Sequence, residues 1–271
     1  MIKEKLIEQY RAYLLARSQS LNYINVMRTF LNFLEENKLE PMDITQETLT
    51  VFFTKNERYS ISTRNQFIKG GRSFYDFLGL HDSAWHRMKL MQVAYRIPDF
   101  LTVQDVEEAK KYLKTYHSKK YTIAKIEALI SFLFATGVRK AELLNLKRAD
   151  IDIENNKAKV FGKGKRERYI YFDNKTKAEL IDYFSAEEEK TNAFNLTLGK
   201  INYIPKLLSK YLGKKVYLHL FRHSSARNMI MKDVPINIVQ KILGHSSLQT
   251  TMRYTEPNEK MIADKYKEKM R

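Results

Sequence analysis

The sequence predicts a mainly α-helical fold with a small β-hairpin or sheet, divided into an N-terminal helical domain and a mixed α/β domain. Three observations predict it. Apolar residues recur at helical spacing from residue 1 to about 80, fade between about 81 and 101, and resume their helical order from Thr102. One stretch, residues 150–172, alternates as strands do on either side of a Gly-Lys-Gly-Lys tip. The remaining breaks fall at isolated Pro and Gly residues. The expected boundaries are a helical domain over 1–88, a linker over 89–100 and a second domain over 101–271.

Composition narrows the function classes. The chain has 271 residues, enough for one large domain or two of ordinary size. A 44% hydrophobic content with 12% aromatics can fill a core. Lys and Arg outnumber Asp and Glu by 48 to 31, a net charge of +17. That excess suits a polyanionic partner, nucleic acid first, although a Lys-rich solvated surface also accounts for it. The absence of cysteine excludes disulfides, thiolate metal sites and cysteine nucleophiles, and neither a metal nor a cofactor is expected. No apolar run approaches the roughly 20 residues of a membrane helix. The N-terminus has acidic residues among its basic ones and no small-residue cleavage site, so a cytoplasmic location is expected.

The first domain reads as four helices. Leu6, Tyr10, Tyr13 and Leu14 mark the first; Ile24, Met27, Phe30, Leu31 and Leu34 mark the second, with Ser20 as its expected N-cap. Pro41 and Asp43 make a break, and Thr45, Thr48 and Phe52 suggest a short third helix. The fourth starts at Ser60 and carries Phe67, Ile68, Phe74, Tyr75 and Leu78 on one face. Gly70 and Gly71 are expected to interrupt it, at about 1 kcal/mol each relative to Ala. Arg64, Lys69 and Arg72, with Thr63, lie on the polar face and can contact phosphates; each taken singly also fits a solvated surface residue.

In the second domain, Asp105 and Glu107 follow Thr102 as in the first turn of a capped helix. Ile126, Leu129, Ile130, Leu133 and Phe134 form an apolar helix that stops at Thr136-Gly137. Arg139 follows at once, with Glu142 three residues on: either a guanidinium held by a carboxylate or an ordinary surface pair. The hairpin tip carries Lys163, Lys165 and Arg166, which can reach into a DNA groove or simply be solvated. Residues 174–190 read as a charge-rich helix, and 200–212 as another with Pro205 in or near its first turn. Then comes HLFRHSSARN, which places His219 and Arg222 three apart on one helix face. Pro235 starts a helix ending at Leu243-Gly244, His245 follows, and Ser246 or Ser247 caps a last helix carrying Tyr254.

These groups suit phosphoryl transfer without a metal. Two guanidiniums, Arg139 and Arg222, can each fork onto the non-bridging oxygens of a phosphate. Tyr254 can attack phosphorus, but a phenol with an unperturbed pKa near 10 needs a proton acceptor, for which His219 is the nearest candidate in the sequence. His245 can donate a hydrogen bond to the phosphate, and Lys163 can protonate the departing 5′ oxygen.

The ordered set TGVRKAELLNL, GKGKRER, HLFRH and LGHSSLQTTMRY resembles the tyrosine recombinase (phage integrase and Xer-type) family. The family's Arg in T-G-x-R-x-x-E-L, hairpin Lys, H-x-x-R, L-G-H and nucleophilic Tyr fall on Arg139, Lys163, His219, Arg222, His245 and Tyr254, with Glu142 at its acidic position. The resemblance spans 102–256 strongly and 1–80 more weakly. It implies a SAM-like helical core-binding domain and a mixed α/β catalytic domain clamped around duplex DNA. It also implies a covalent 3′-phosphotyrosine, a Holliday junction and a tetramer, with a C-terminal helix, residues 258–270, exchanged between subunits. Met261, Ile262 and Tyr266 would form that helix's apolar side. Ser224 and Ser225 stand where the family often has a Thr and an aromatic residue, a departure expected to touch packing rather than chemistry. The sequence opens on the core-binding region, so a minimal Xer-like enzyme without an arm-site domain is the expectation. A type IB topoisomerase and a non-catalytic DNA-binding protein on the same fold remain as rivals.

Overall fold

The computed structural model describes residues 2–93, 99–116, 120–162, 167–186, 191–245, 247–255, 266–267 and 270. The chain divides into two compact units, 1–95 and 96–271.

The first unit is a helical bundle: α1 (Ile2–Ala16), α2 (Asn22–Glu36), α3 (Gln46–Lys55), α4 (Ile61–Phe77) and a one-turn α5 (Ala84–Arg87). Thr45 and Ser60 cap α3 and α4 through side-chain bonds from the backbone N–H of Thr48 and Thr63. Ser20 does not cap α2 as expected. The cap position is Leu21, while the Ser20 hydroxyl accepts from the Asn22 N–H one residue inside. The core is aromatic: Phe30 packs edge-on against Phe52 and Trp85, with ring centroids 5.1 and 4.9 Å apart.

Two expectations are corrected here. Gly70 and Gly71 do not interrupt α4, which runs unbroken through both. They are where other side chains come against the helix backbone. A Cβ at Gly71 would lie 2.2 Å from the Trp85 ring, and one at Gly70 would lie 2.8 Å from Val26. Trp85 in turn lies in the stretch where periodicity fades, yet it is fully buried. A single short turn cannot show a helical period, so its anchoring role is invisible to pattern reading.

The second unit begins with α6 (Val103–Tyr116), capped by reciprocal bonds between Thr102 and Asp105. Then follow α7 (Lys120–Thr136) and α8 (Lys140–Asn145). Next is an antiparallel sheet of β1 (Ile151–Asp152), β2 (Lys157–Phe161) and β3 (Glu167–Tyr171) in the order β1-β2-β3. Ala158 pairs with Ile170 in its register and both are fully buried, so the inner sheet face joins the core. The chain continues through α9 (Asn174–Ala186), α10 (Leu198–Leu212), α11 (Leu218–Met231), α12 (Ile236–Leu243) and α13 (Leu248–Met252). Apolar α7 is the central post, packed by α6, α9 and α11, with Leu129, Ile130 and Phe132 wholly buried.

Two more expectations change. Pro205 is not in the first turn of α10 but well inside the helix, which starts earlier, at Leu198, capped by Thr197. Pro205 is buried, so its ring adds to the core while the helix forgoes one N–H bond. Tyr254 does not lie on α13: the helix ends at Met252, and Tyr254 follows in a turn, its N–H bonded to Thr251 O. Among the described residues, no helix is long and apolar enough to cross a membrane.

Candidate active site

The site gathers at the C-terminal end of α12. The last carbonyls of a helix have no partner inside it and carry the negative end of its dipole, so they attract cations. Three arginines use them. Arg168 Nε donates to Ile242 O at 2.9 Å, Arg222 Nη2 to Leu243 O at 2.5 Å, and Arg139 Nη2 to Gly244 O at 2.5 Å. Gly244 permits this through a left-handed φ of 65°, and Arg168 lies so close to it that a Cβ would meet its side chain at 2.9 Å.

Glu142 ties the cluster together. One oxygen accepts from Arg139 Nη1 at 2.9 Å and from Arg168 Nη1 at 2.6 Å; the other accepts from the Arg139 N–H at 2.9 Å and Arg168 Nη2 at 2.8 Å. Burial alone would raise its pKa. The bonds from Arg168 and the Arg139 backbone outweigh that and hold the carboxyl at about 2. With a side chain only 3% exposed, Glu142 is no ordinary surface partner of Arg139.

Arg222 is fully buried, and its second nitrogen donates to Gly137 O at 2.8 Å. That carbonyl belongs to the left-handed turn closing α7, where φ is 59°. Burial, with Arg139 and Arg168 nearby, brings Arg222 down to about 9, so it is still charged at neutral pH. Three guanidiniums against one carboxylate leave two net positive charges, a site built to receive an anion.

The imidazoles surround this cluster. His245 follows Gly244, and its Nδ1 lies 2.8 Å from the buried Thr251 hydroxyl. Burial, then Arg222 and Arg139, lower its pKa to about 3. His219 sits at the solvent-facing start of α11, held below its ordinary 6.5 by desolvation, Arg222 and Arg139. One turn on, His223 meets His219 edge to face with centroids 4.6 Å apart.

Tyr254 is buried, 4% exposed, and its hydroxyl lies 2.5 Å from His223 Nδ1. The hydroxyl's imidazole partner is thus His223, one turn along the same face from His219, the acceptor expected from the sequence. The Tyr254 backbone is anchored too: its carbonyl accepts from the buried Arg227 at 2.7 Å. The Tyr254 ring also stacks at 6.3 Å on that of His245.

Arg139, Glu142, His219, Arg222, His245 and Tyr254 thus come together. Lys163, Lys165 and Arg166 lie outside the described residues, as do Met261 and Ile262. In the first unit, the arginines expected to meet phosphates also bond backbone carbonyls. Arg64 donates to the carbonyls of Tyr59 and Glu57, and Arg72 to those of Trp85 and Met88. Lys69 is exposed. Ser224 and Ser225 do act in packing. Ser224 Oγ accepts from the Leu101 N–H at 2.7 Å, and Ser225 Oγ donates to Ala135 O at 3.0 Å.

Sequence reasoning missed Arg168 and His223. Both left a signal. Arg168 shares its face of β3 with the buried Ile170 two residues on, an arginine on the inner face of a strand. His223 stands four residues after His219, on the same helix face.

The family model for "Phage integrase family" matches residues 99–261. The chain belongs to the phage integrase family. Within it, the chain is a tyrosine-type site-specific recombinase. The tyrosine recombinase XerA of Pyrococcus furiosus is 28% identical, covering 97% of this chain and 93% of its own. The tyrosine recombinase XerC of Thermodesulfovibrio yellowstonii is 25% identical over 90% of this chain and 87% of its own. The fold is that of the XerH site-specific recombinase, solved with a palindromic difH substrate after cleavage, at a TM-score of 0.72 and 20% identity. That match covers 92% of this chain and 80% of XerH.

Proposed function

We propose that the chain cuts and rejoins duplex DNA through a covalent 3′-phosphotyrosine at Tyr254, without a metal. The observation that carries this reading is the pair of guanidiniums, Arg139 and Arg222, fixed by the end of α12 within one cluster that also holds the Tyr254 phenol. Because backbone carbonyls already orient both arginines, little reorganisation is needed when charge develops on the phosphorane-like transition state. Each guanidinium keeps further N–H groups for the non-bridging oxygens. His219 and His245 add hydrogen bonds. In the tautomer that serves this role, the Thr251 hydroxyl donates to His245 Nδ1 and leaves Nε2–H for the phosphate. Lys163 protonates the leaving 5′ oxygen.

Keeping the phosphate as a tyrosyl ester preserves the bond energy for rejoining, so a free 5′ hydroxyl from a second duplex can displace Tyr254. Strand exchange then passes through a Holliday junction in a tetramer, with residues 258–270 docking on a neighbouring subunit. The first unit acts as the core-binding domain, with Lys69 among its DNA contacts; Lys165 and Arg166 contact DNA beside Lys163. The biological task is Xer-like recombination or the integration and excision of a mobile element.

On a nicked suicide duplex, Tyr254→Phe is expected to bind like the wild type and form no covalent adduct. An adduct persisting in that variant would remove Tyr254 from its role. On supercoiled plasmid without a specific site the enzyme should relax little; relaxation regardless of sequence would favour a topoisomerase.

A further inference from the structure

His223 has no part in that scheme, yet it is the imidazole hydrogen-bonded to the attacking oxygen, Nδ1 to Tyr254 Oη at 2.5 Å. We propose that His223 is a catalytic residue: it takes the Tyr254 phenol proton as the strand is cut and returns it as the strand is rejoined. This rests on Tyr254 being the nucleophile.

The other basic groups of the site have contacts of their own. His245 offers its Nδ1 to Thr251 and its ring face to Tyr254. Both Glu142 oxygens are taken by Arg139 and Arg168. His219 reaches His223 edge to face. A proton acceptor must be neutral with its lone pair aimed at the donor. Among the described residues, the groups facing His223 are Tyr217, His219 and Arg222 from α11 and its cap, Arg253 and Tyr254 beyond α13, and His245 after α12. None of them is a carboxylate. Burial, then His219, Arg222 and Arg253, lower its pKa to about 4, so the ring is neutral across the physiological range. Such a ring is a weak base in the empty site. A phosphate bound between Arg139 and Arg222 cancels part of that repulsion, and the charge growing on the phosphorane favours the imidazolium as the bond forms.

The step balances. The Tyr254 O–H bond breaks and its proton passes to His223 Nδ1 as the Oη–P bond forms. The P–O5′ bond breaks, and the 5′ oxygen takes a proton from Lys163. Rejoining runs the same transfers backwards.

The test uses the full chain, saturating nicked suicide duplex and single-turnover adduct formation between pH 6 and 9. The wild-type rate should be nearly flat, because the acceptor is already neutral throughout. His223→Asn keeps an oxygen that can accept the phenol hydrogen bond but not the proton. It should bind duplex normally and form adduct at least about 100-fold more slowly. Its rate should climb about tenfold per pH unit across that range, because the phenol proton must then be lost to solvent. With sulfur replacing the bridging 5′ oxygen, the leaving group needs no acid, and the Asn variant should remain slow.

A wild-type rate that itself climbs tenfold per unit overturns the proposal without recourse to any variant. So does His223→Asn at wild-type speed, or a defect that vanishes on the sulfur substrate. Adduct formation by Tyr254→Phe would instead break the underlying nucleophile reading, and is scored separately.

Discussion

At the scale of single residues, Glu142 decides whether three buried or half-buried guanidiniums can share one corner of the protein. Removing a carboxylate from such a cluster leaves like charges facing each other at low dielectric, which costs more than the pair itself contributes. Its pKa is depressed from an ordinary 4.5 to about 2, so the folded state binds the proton less tightly than the unfolded chain. The stabilisation is therefore complete above about pH 4.5 and is lost as pH falls toward 2, and it amounts to about 3 kcal/mol. Glu142→Gln should lower the stability of the catalytic unit by about that much at pH 7 in urea melts. The gap from wild type should narrow as the pH is lowered through 4.5 toward 2. A gap independent of pH would show that Glu142 acts by shape rather than by charge. Arg139 and His245 were legible in the sequence because each stands just past a Gly at a helix end, and Arg222 because it lies three residues after His219. Arg168 and His223 were not singled out, because their spacing gives a face but not the distant group it meets, the end of α12 for Arg168 and the Tyr254 phenol for His223.

At the scale of elements, α12 and α4 show what periodicity can and cannot report. Period and caps place α12 correctly from Pro235 to Gly244, but they do not say that its exposed carbonyls will organise three arginines. In α4 the same reasoning gives the wrong sign. Helix propensity alone has Gly71→Ala stabilising the first unit by about 1 kcal/mol. A Cβ at that position would lie 2.2 Å from the Trp85 ring, against the helix rather than in open space. Overpacking of this kind costs roughly 1–3 kcal/mol, which outweighs the propensity gain. Gly71→Ala should therefore lower the melting temperature, and pairing it with a smaller residue at 85 should not restore it fully, because Trp85 also holds Phe30. A raised melting temperature for Gly71→Ala would mean that the α4–α5 contact yields easily.

At the scale of the whole molecule, the charge of +17 and the local surplus of positive charge in the site make separable demands. The overall excess acts through release of counterions from DNA, a term that is independent of sequence and falls steeply with salt. The surplus around Arg222 acts on one phosphate and is felt most when that phosphate becomes a phosphorane. Binding of duplex should thus weaken by about 10³ or more between 50 and 200 mM salt if six or more phosphates are neutralised. Arg222→Ala should reduce that slope by only about one unit. The same variant should slow adduct formation by about 100-fold or more at saturating duplex. Equal losses in binding and in adduct formation would make Arg222 a binding residue only. A flat salt response would remove the DNA reading at its root, because no other term on this surface could hold a duplex by its phosphates.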